Sequence, residues 1–147
     1  MKFHKGKYKL KNPSKYLGNP NDVVYRSGWE RSAFIWLDKN DQVKGWVSEE
    51  IVIPYRCATD NRMHKYYIDI YYETVDGKKY LIEIKPEKQT QPPTAPKRKT
   101  KRYINEQLTY AKNMSKWKAA EEFAKDNGIT FGIWTENVMK GLGIKII

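Results

Sequence analysis

Asp69, Glu83 and Lys85 are the residues of this chain whose types and spacing could do chemistry together. They flank Val75-Asp76-Gly77, which suits a three-residue hairpin loop, a type I turn followed by glycine in the left-handed conformation. That loop sets Thr74 opposite Lys78, and stepping outward along the ribbon brings Asp69 opposite Glu83, with both side chains on one face. A two-residue Asp-Gly loop would instead pair Asp69 with Ile84 and turn Glu83 to the other face. The three-residue register is preferred because it gathers Tyr66, Ile68, Ile70, Tyr72, Tyr80, Ile82 and Ile84 on one apolar face. Asp69, Glu83 and Lys85 then share the opposite face.

Two carboxylates opposed at ~5 Å repel by about 3 kcal/mol at an effective dielectric near 20, and sheets usually avoid such pairs. A divalent cation reverses the sign, and an all-oxygen donor set suits Mg²⁺ or Mn²⁺. Lys85 beside that cation could hold an attacking water or neutralise charge on a phosphate. A solvated strand face on which Lys85 merely offsets the acids has the same spacing. Glu30 adds to the first reading. Ala33, Phe34 and Leu37 follow it at helical spacing, so it heads an apolar stripe where a carboxylate needs a partner. Ser27-x-x-Glu30 is also a capping box, which gives Glu30 a backbone role of its own.

Several elements must position these residues. Residues 1–25 read as a basic extended arm, punctuated by Asn12-Pro13 and Asn19-Pro20. A helix is predicted from Ser27 to Asp38-Lys39-Asn40. Strand character follows at Val43 to Trp46, at 51–53 (stopped by Pro54), at 65–75 and at 78–85. Residues 86–102 form a basic, Pro-rich loop. Helical pattern runs from Lys101 to Asn113, breaks, restarts at Ser115 and stops at Asn127-Gly128. Ile129 to Thr135 is a last strand. These elements predict an α/β fold with a mixed sheet. Its antiparallel part is 51–53, 65–75 and 78–85, and the last strand returns parallel to a neighbour. Trp117, Phe123 and Trp134 are expected in the core.

The 147 residues amount to one domain, here a single unit over 26–147 behind the arm. Lys and Arg number 28 against 17 Asp and Glu, a formal net charge of +11. The excess sits in two segments: residues 1–20, with lysines and no acid, and 86–102, with Lys88, Lys97, Arg98, Lys99, Lys101 and Arg102 against Glu87. Two such segments suit a polyanion, because flexible cations follow phosphates and release counterions. Lys5, Lys7 and Lys9, interleaved with Phe3, His4, Tyr8 and Tyr16, and Lys97, Arg98, Lys99, Lys101 and Arg102 are the candidate DNA contacts. A lone cysteine, Cys57, excludes an internal disulfide framework and reads as a packing residue. No run reads as a membrane span or signal peptide, so a soluble protein of a reducing compartment with no membrane partner is expected. His64, near the start of the Asp69 strand, could assist at a phosphate or in proton transfer.

Glu30 on a first helix, then Asp69, then Glu83-Ile84-Lys85 resembles the PD-(D/E)xK nuclease superfamily, and within it the endonuclease subunit of heteromeric transposases. Asn12-Pro13-Ser14-Lys15-Tyr16-Leu17-Gly18, Tyr25-Arg26-Ser27-Gly28-Trp29-Glu30, Ile82-Glu83-Ile84-Lys85-Pro86 and Lys116-Trp117-x-Ala119-Ala120 are similar to the head-completion nucleases of T-even-type tailed phages. The resemblance spans nearly the whole chain. It implies a restriction-endonuclease-like core with a four-stranded mixed sheet flanked by helices, and a metal-dependent DNA endonuclease acting in phage head completion after packaging. It further implies Asp69, Glu83 and the Ile84 backbone carbonyl as metal ligands, Lys85 as catalytic lysine and Glu30 as an additional acid. Partners would be double-stranded or branched DNA and phage head or portal proteins, in the virion and in the host cytoplasm during assembly, with the chain a monomer or dimer. Ile68 departs from the superfamily pattern, standing where proline is usual. Some relatives carry a glutamine and a tyrosine four apart on the following helix. Gln107 is the candidate here, but Ala111 holds the second position and Tyr110 falls one residue early.

Two other functions fit the same residues. A structural DNA-binding head protein would bind and seldom cut, although Glu30, Asp69, Glu83 and Lys85 standing together argues against a dead site. A Holliday-junction-resolvase-like or repair endonuclease would prefer branched DNA.

Overall fold

Ser27 ends an extended segment and starts a helix: its hydroxyl accepts the Glu30 N–H at 3.2 Å, one half of the expected capping box. In the computed structural model, which describes residues 5–146, this helix is α1 (Gly28–Lys39). Before it come β1 (Gly6–Lys7), a 3₁₀ turn (Pro13–Lys15) and β2 (Val24–Tyr25). After it come β3 (Val43–Ser48), β4 (Val52–Arg56), β5 (Met63–Tyr67), β6 (Ile70–Thr74) and β7 (Lys79–Ile84). A 3₁₀ turn (Glu87–Thr90), α2 (Lys101–Asp126), β8 (Thr130–Trp134) and α3 (Glu136–Gly141) complete the chain. No helix among the described residues is long and apolar enough to cross a membrane.

The main sheet has four strands in the order β3-β6-β7-β8, antiparallel except for the parallel β7–β8 pair. Side chains alternate across it. Ile70, Tyr72, Ile82, Ile84 and Trp134 face one core with Ala33, Phe34 and Leu37 of α1. Leu81, Phe131 and Ile133 face another with Trp117, Ala120 and Ala124 of α2 and with Phe123. The fold is therefore α/β/α, the expected mixed four-stranded sheet between helices, with Trp117, Phe123 and Trp134 in its core.

The hairpin register agrees with the three-residue loop: Thr74 N–H donates to the Lys78 carbonyl at 2.8 Å, Ile70 pairs with Ile82 and Tyr72 with Tyr80, and Gly77 has φ +88°. Other expectations need correction. The strand over 65–75 is two strands, broken at Ile68-Asp69. β5 pairs with β4 in a separate two-stranded ribbon, and only β6 enters the main sheet. Tyr66 and Ile68 consequently join the α2-side core rather than the face of Ile70 and Tyr72. The strand beside β6 is β3, not 51–53. Pro54 lies inside β4, tolerated because a two-stranded ribbon has a free edge that requires no N–H. α2 runs unbroken through Ser115, whose hydroxyl donates to the Ala111 carbonyl at 3.0 Å and so stays within the helix. The 86–102 loop contains a 3₁₀ turn, and Lys101 and Arg102 belong to the first turn of α2.

The basic arm is also corrected. Tyr8, Tyr16 and Val23 are buried in the α1-side core, and β1 pairs with β2. Tyr8 and Tyr16 meet the fully buried Trp46 edge-on, with centroids 6.4 and 4.8 Å away, contacts worth about 0.5–1.5 kcal/mol each. Lys15 Nζ donates to the carbonyls of Leu37, Asp38 and Asn40 at 2.8, 3.0 and 2.8 Å. These carbonyls close α1, where an ammonium is favoured. Aromatic residues that a free arm could have stacked on bases are thus spent on the core. Phe3 and His4 lie outside the described residues.

Candidate active site

The break at Ile68-Asp69 is what builds the site. Asp69 sits where the β4–β5 ribbon and the main sheet part, beyond the Ile70–Ile82 pair and so beside Glu83. Its Oδ2 accepts the Ile84 N–H at 2.7 Å. The Asp69 and Glu83 carboxyl groups lie close enough to share a hydrogen bond, and the Asp69 carboxyl is pushed well above the usual carboxylate range. Burial is the largest cause, followed by the charge of Glu83; the Ile84 N–H works the other way and Glu30 adds to the rise. Glu83 is buried, and its Oε2 accepts the Tyr66 hydroxyl at 2.5 Å. Its Oε1 lies 3.6 Å from Lys85 Nζ.

α1 delivers the third acid. Glu30 is buried and its Oε1 has no hydrogen-bond partner. The carboxylate half of the expected capping box, a bond from the Ser27 N–H, is not made, and the Arg26 N–H is the backbone group beside the carboxylate. Burial first, then the charge of Glu49, raises its carboxyl to about 7. One carboxylate oxygen each from Glu30, Glu49 and Asp69 lies within 4.8 Å of the other two. Acids so crowded, one of them with an unpartnered buried oxygen, could hold an oxygen-seeking divalent cation. The expected quartet of Glu30, Asp69, Glu83 and Lys85 is therefore brought together.

Four residues of this site were not expected. Glu49 follows β3 in the left-handed region, φ +54°, and its N–H donates to the Asp69 carbonyl at 3.2 Å. Arg26 Nε holds both Glu49 oxygens, at 3.0 and 3.1 Å. Tyr66 anchors Glu83, and burial with the charge of Glu83 keeps its phenol protonated. Lys116, half-buried on α2, places Nζ 5.4 Å from the Tyr66 ring centroid. Burial pulls its ammonium below the ordinary lysine range, while Glu83 and Asp69 pull the other way. Arg26 and Lys116 both lie in stretches that carried the family likeness. Glu49 gave no signal of its own, because its place depends on the β3–β6 pairing.

Two other candidates lie elsewhere. His64 Nε2 is 2.7 Å from Asp60 Oδ2 at the far end of β5, on the order of 15 Å along the chain from Asp69. Gln107 is exposed and donates to the Tyr103 hydroxyl at 2.9 Å, nine residues and ~13 Å along α2 from Lys116. Lys5, Lys7, Lys9, Lys97, Arg98, Lys99, Lys101 and Arg102 are all exposed.

A mixed sheet that ends in crowded acids with a lysine two residues along defines a nuclease core, and the chain belongs to the family described as TnsA-like endonuclease N terminal, whose profile matches residues 40–136. Asp69, Glu83 and Lys85 fall within that match, and Glu30 precedes it. Among individual proteins, the chain is 44% identical over 146 residues to the head completion nuclease of Enterobacteria phage T4, covering 97% of each chain.

Proposed function

We propose that this chain is a divalent-metal-dependent DNA endonuclease that acts on packaged DNA during phage head completion. The observation that carries the reading is the crowding of acids: one oxygen each from Glu30, Glu49 and Asp69 lies within 4.8 Å of the other two, one Glu30 oxygen has no partner, and Glu83 stands next to Asp69 in the strand register. Asp69, Glu83 and the Ile84 carbonyl would hold Mg²⁺ or Mn²⁺, with Glu30 as an additional ligand. The Ile84 N–H points to Asp69, and in an extended strand the carbonyl of the same residue shares that edge. When bound, such an ion lowers the pKa of its water and offsets charge on the scissile phosphate.

The chain's own residues do the rest. The Ile84 N–H fixes Asp69 Oδ2 and the Tyr66 hydroxyl fixes Glu83 Oε2, so the ion would face Asp69 Oδ1 and a Glu83 Oε1 that it shares with Lys85. Lys85, poised on Glu83 Oε1, orients the attacking water or meets the phosphate; Lys116 adds positive charge from the α2 side. A cleft of about 980 Å³ between the Pro-rich loop and the first half of α2 is lined by Lys88, Lys101, Arg102 and Glu106 among others, and by none of Glu30, Asp69 and Glu83. It suits the backbone of a bound duplex away from the cut, read without sequence preference.

The test is nicking of supercoiled plasmid by the purified protein with Mg²⁺ or Mn²⁺, a chelator control and Glu83→Ala. Metal-dependent nicking lost in the variant is expected. Nicking that persists in Glu83→Ala, or DNA binding without any nicking, defeats the proposal, the second outcome favouring a structural head protein. Preferential cutting of four-way junctions over linear duplex would instead favour a resolvase. Head and portal proteins are the proposed partners, and the virion and the assembling host cytoplasm the proposed location.

A further inference from the structure

The tip of the β4–β5 hairpin holds a second group of metal-binding donors of different chemistry. One donor atom each from Cys57, Asp60 and His64 lies within 4.8 Å of the other two, and His64 Nε2 is 2.7 Å from Asp60 Oδ2. We propose that these three side chains bind a zinc-class transition-metal ion, separate from the catalytic acids, with water in the fourth position.

The donor set argues for that ion. One thiolate, one imidazole and one carboxylate form a borderline-soft set that Zn²⁺ and Co²⁺ take and Mg²⁺ does not. A tetrahedral ion would hold such donors roughly 3.3–3.6 Å apart, so it would displace the proton shared by His64 Nε2 and Asp60 Oδ2, now 2.7 Å apart, part that pair slightly and draw Cys57 Sγ in. Cys57 is 1% exposed and supplies the ligand from the inner side, while Asp60 is exposed and His64 partly so, leaving a route for the ion and a place for water.

Neighbouring groups already orient the donors, as an outer shell does in metal sites. Asp60 Oδ1 accepts the Arg62 N–H at 3.0 Å, which leaves Oδ2 facing His64. The Tyr55 ring lies against the imidazole, centroids 5.7 Å apart. Thr59 Oγ1 is 3.0 Å from Cys57 Sγ, placed to donate to a thiolate. The turn itself is pinned by Cys57 N–H to the Arg62 carbonyl at 2.9 Å and Asn61 N–H to the Cys57 carbonyl at 2.8 Å. Of the two nearby cations, Arg56 is turned onto the Asn61 carbonyl at 2.9 Å, while the charge of Arg62 acts on Asp60 and would oppose a metal there.

The site bears on the rest of the molecule through its supports. The Ala58 N–H donates to Ser115 of α2 at 3.1 Å, and two residues beyond His64 on the same strand stands Tyr66, the anchor of Glu83. An ion here would staple the hairpin that carries this anchor.

Because Cys57 is the one cysteine of the sequence, thiolate-to-cobalt absorption in the near ultraviolet reports this site alone. The experiment titrates the full-length protein with Co²⁺ under excess Mg²⁺. Expected are one equivalent of the thiolate–cobalt band, its displacement by Zn²⁺, and its retention in Glu83→Ala whether or not that variant cuts DNA. His64→Ala and Asp60→Asn, both at the surface, should each weaken binding by about tenfold or more. One equivalent of Zn²⁺ should raise the melting temperature of the wild type and raise it less in those two variants. Absence of the band at saturating Co²⁺, or unchanged affinity in His64→Ala and Asp60→Asn, overturns the proposal.

Discussion

The two ends of α1 each carry a buried acid in opposite circumstances. At the C-terminal end Asp38 is fully buried, and its carboxylate accepts three hydrogen bonds, from the Tyr8 hydroxyl and the Lys11 and Asn12 N–H groups, at 2.9, 2.8 and 3.0 Å. At the N-terminal end Glu30 is nearly as buried, has one oxygen without a partner, and faces Glu49 and Asp69 rather than donors. A carboxylate with saturated oxygens holds structure together: Asp38 docks the N-terminal segment. One that is buried against its own kind raises the energy of the cation-free fold, a cost that a cation between the acids would offset.

The largest expected effect breaks the N-terminal end of that contrast. Asp69→Asn and Glu83→Ala should each lower kcat/KM for plasmid nicking on the order of 10³-fold. Asp69→Asn should also melt no lower than wild type in chelator, since it removes a repelled charge. Asp38→Ala breaks the other end. It strands the buried Tyr8 hydroxyl and leaves the Lys11 and Asn12 N–H groups without their acceptor, so a loss of about 2–4 kcal/mol is expected, read by urea unfolding, with nicking per folded molecule preserved.

A third measurement follows from pH. The Glu30 carboxyl is raised from 4.5 to about 7, so the cation-free native state binds this proton more tightly than the unfolded chain. Its stability should therefore fall by a few kcal/mol as pH rises from about 4.5 through about 7, then level off. Glu30→Gln should flatten that fall, and saturating Mg²⁺ should offset it; melting curves across pH 4.5–8 check both. The smallest effects separate the two basic segments. Lys15→Met should destabilise the fold by about 1–2 kcal/mol and leave DNA affinity unchanged. Lys97→Ala with Lys99→Ala should leave stability unchanged and lower the salt dependence of DNA binding by up to about two charges' worth.

Much of this arrangement was legible in local rules. Asp76-Gly77 set the hairpin register, alternation set the faces of Ile70, Tyr72, Ile82 and Ile84, and Ser27 set the start of α1. Long-range placement was not. Nothing local breaks the chain at Ile68-Asp69; the break exists because β5 has its own partner in β4. Tyr8 and Tyr16 look the same on a DNA-binding arm as in a core, and Trp46, the ring they pack on, is remote in sequence. Glu49 enters the site through strand pairing alone. Ser115 resembled a helix start because its hydroxyl can cap, but here it bonds back to Ala111.

The continuity of α2 has a mechanical consequence. Lys101 and Arg102 stand in its first turn, and Lys116, beside the acids, is about four turns further along the same rod, roughly 22 Å away at 1.5 Å per residue. A stiff spacer of that length works as a calliper. On the proposed function, duplex clamped at the outer end would meet the acids at a set offset of about six base pairs, and cut position would be measured from a backbone grip without any base being read.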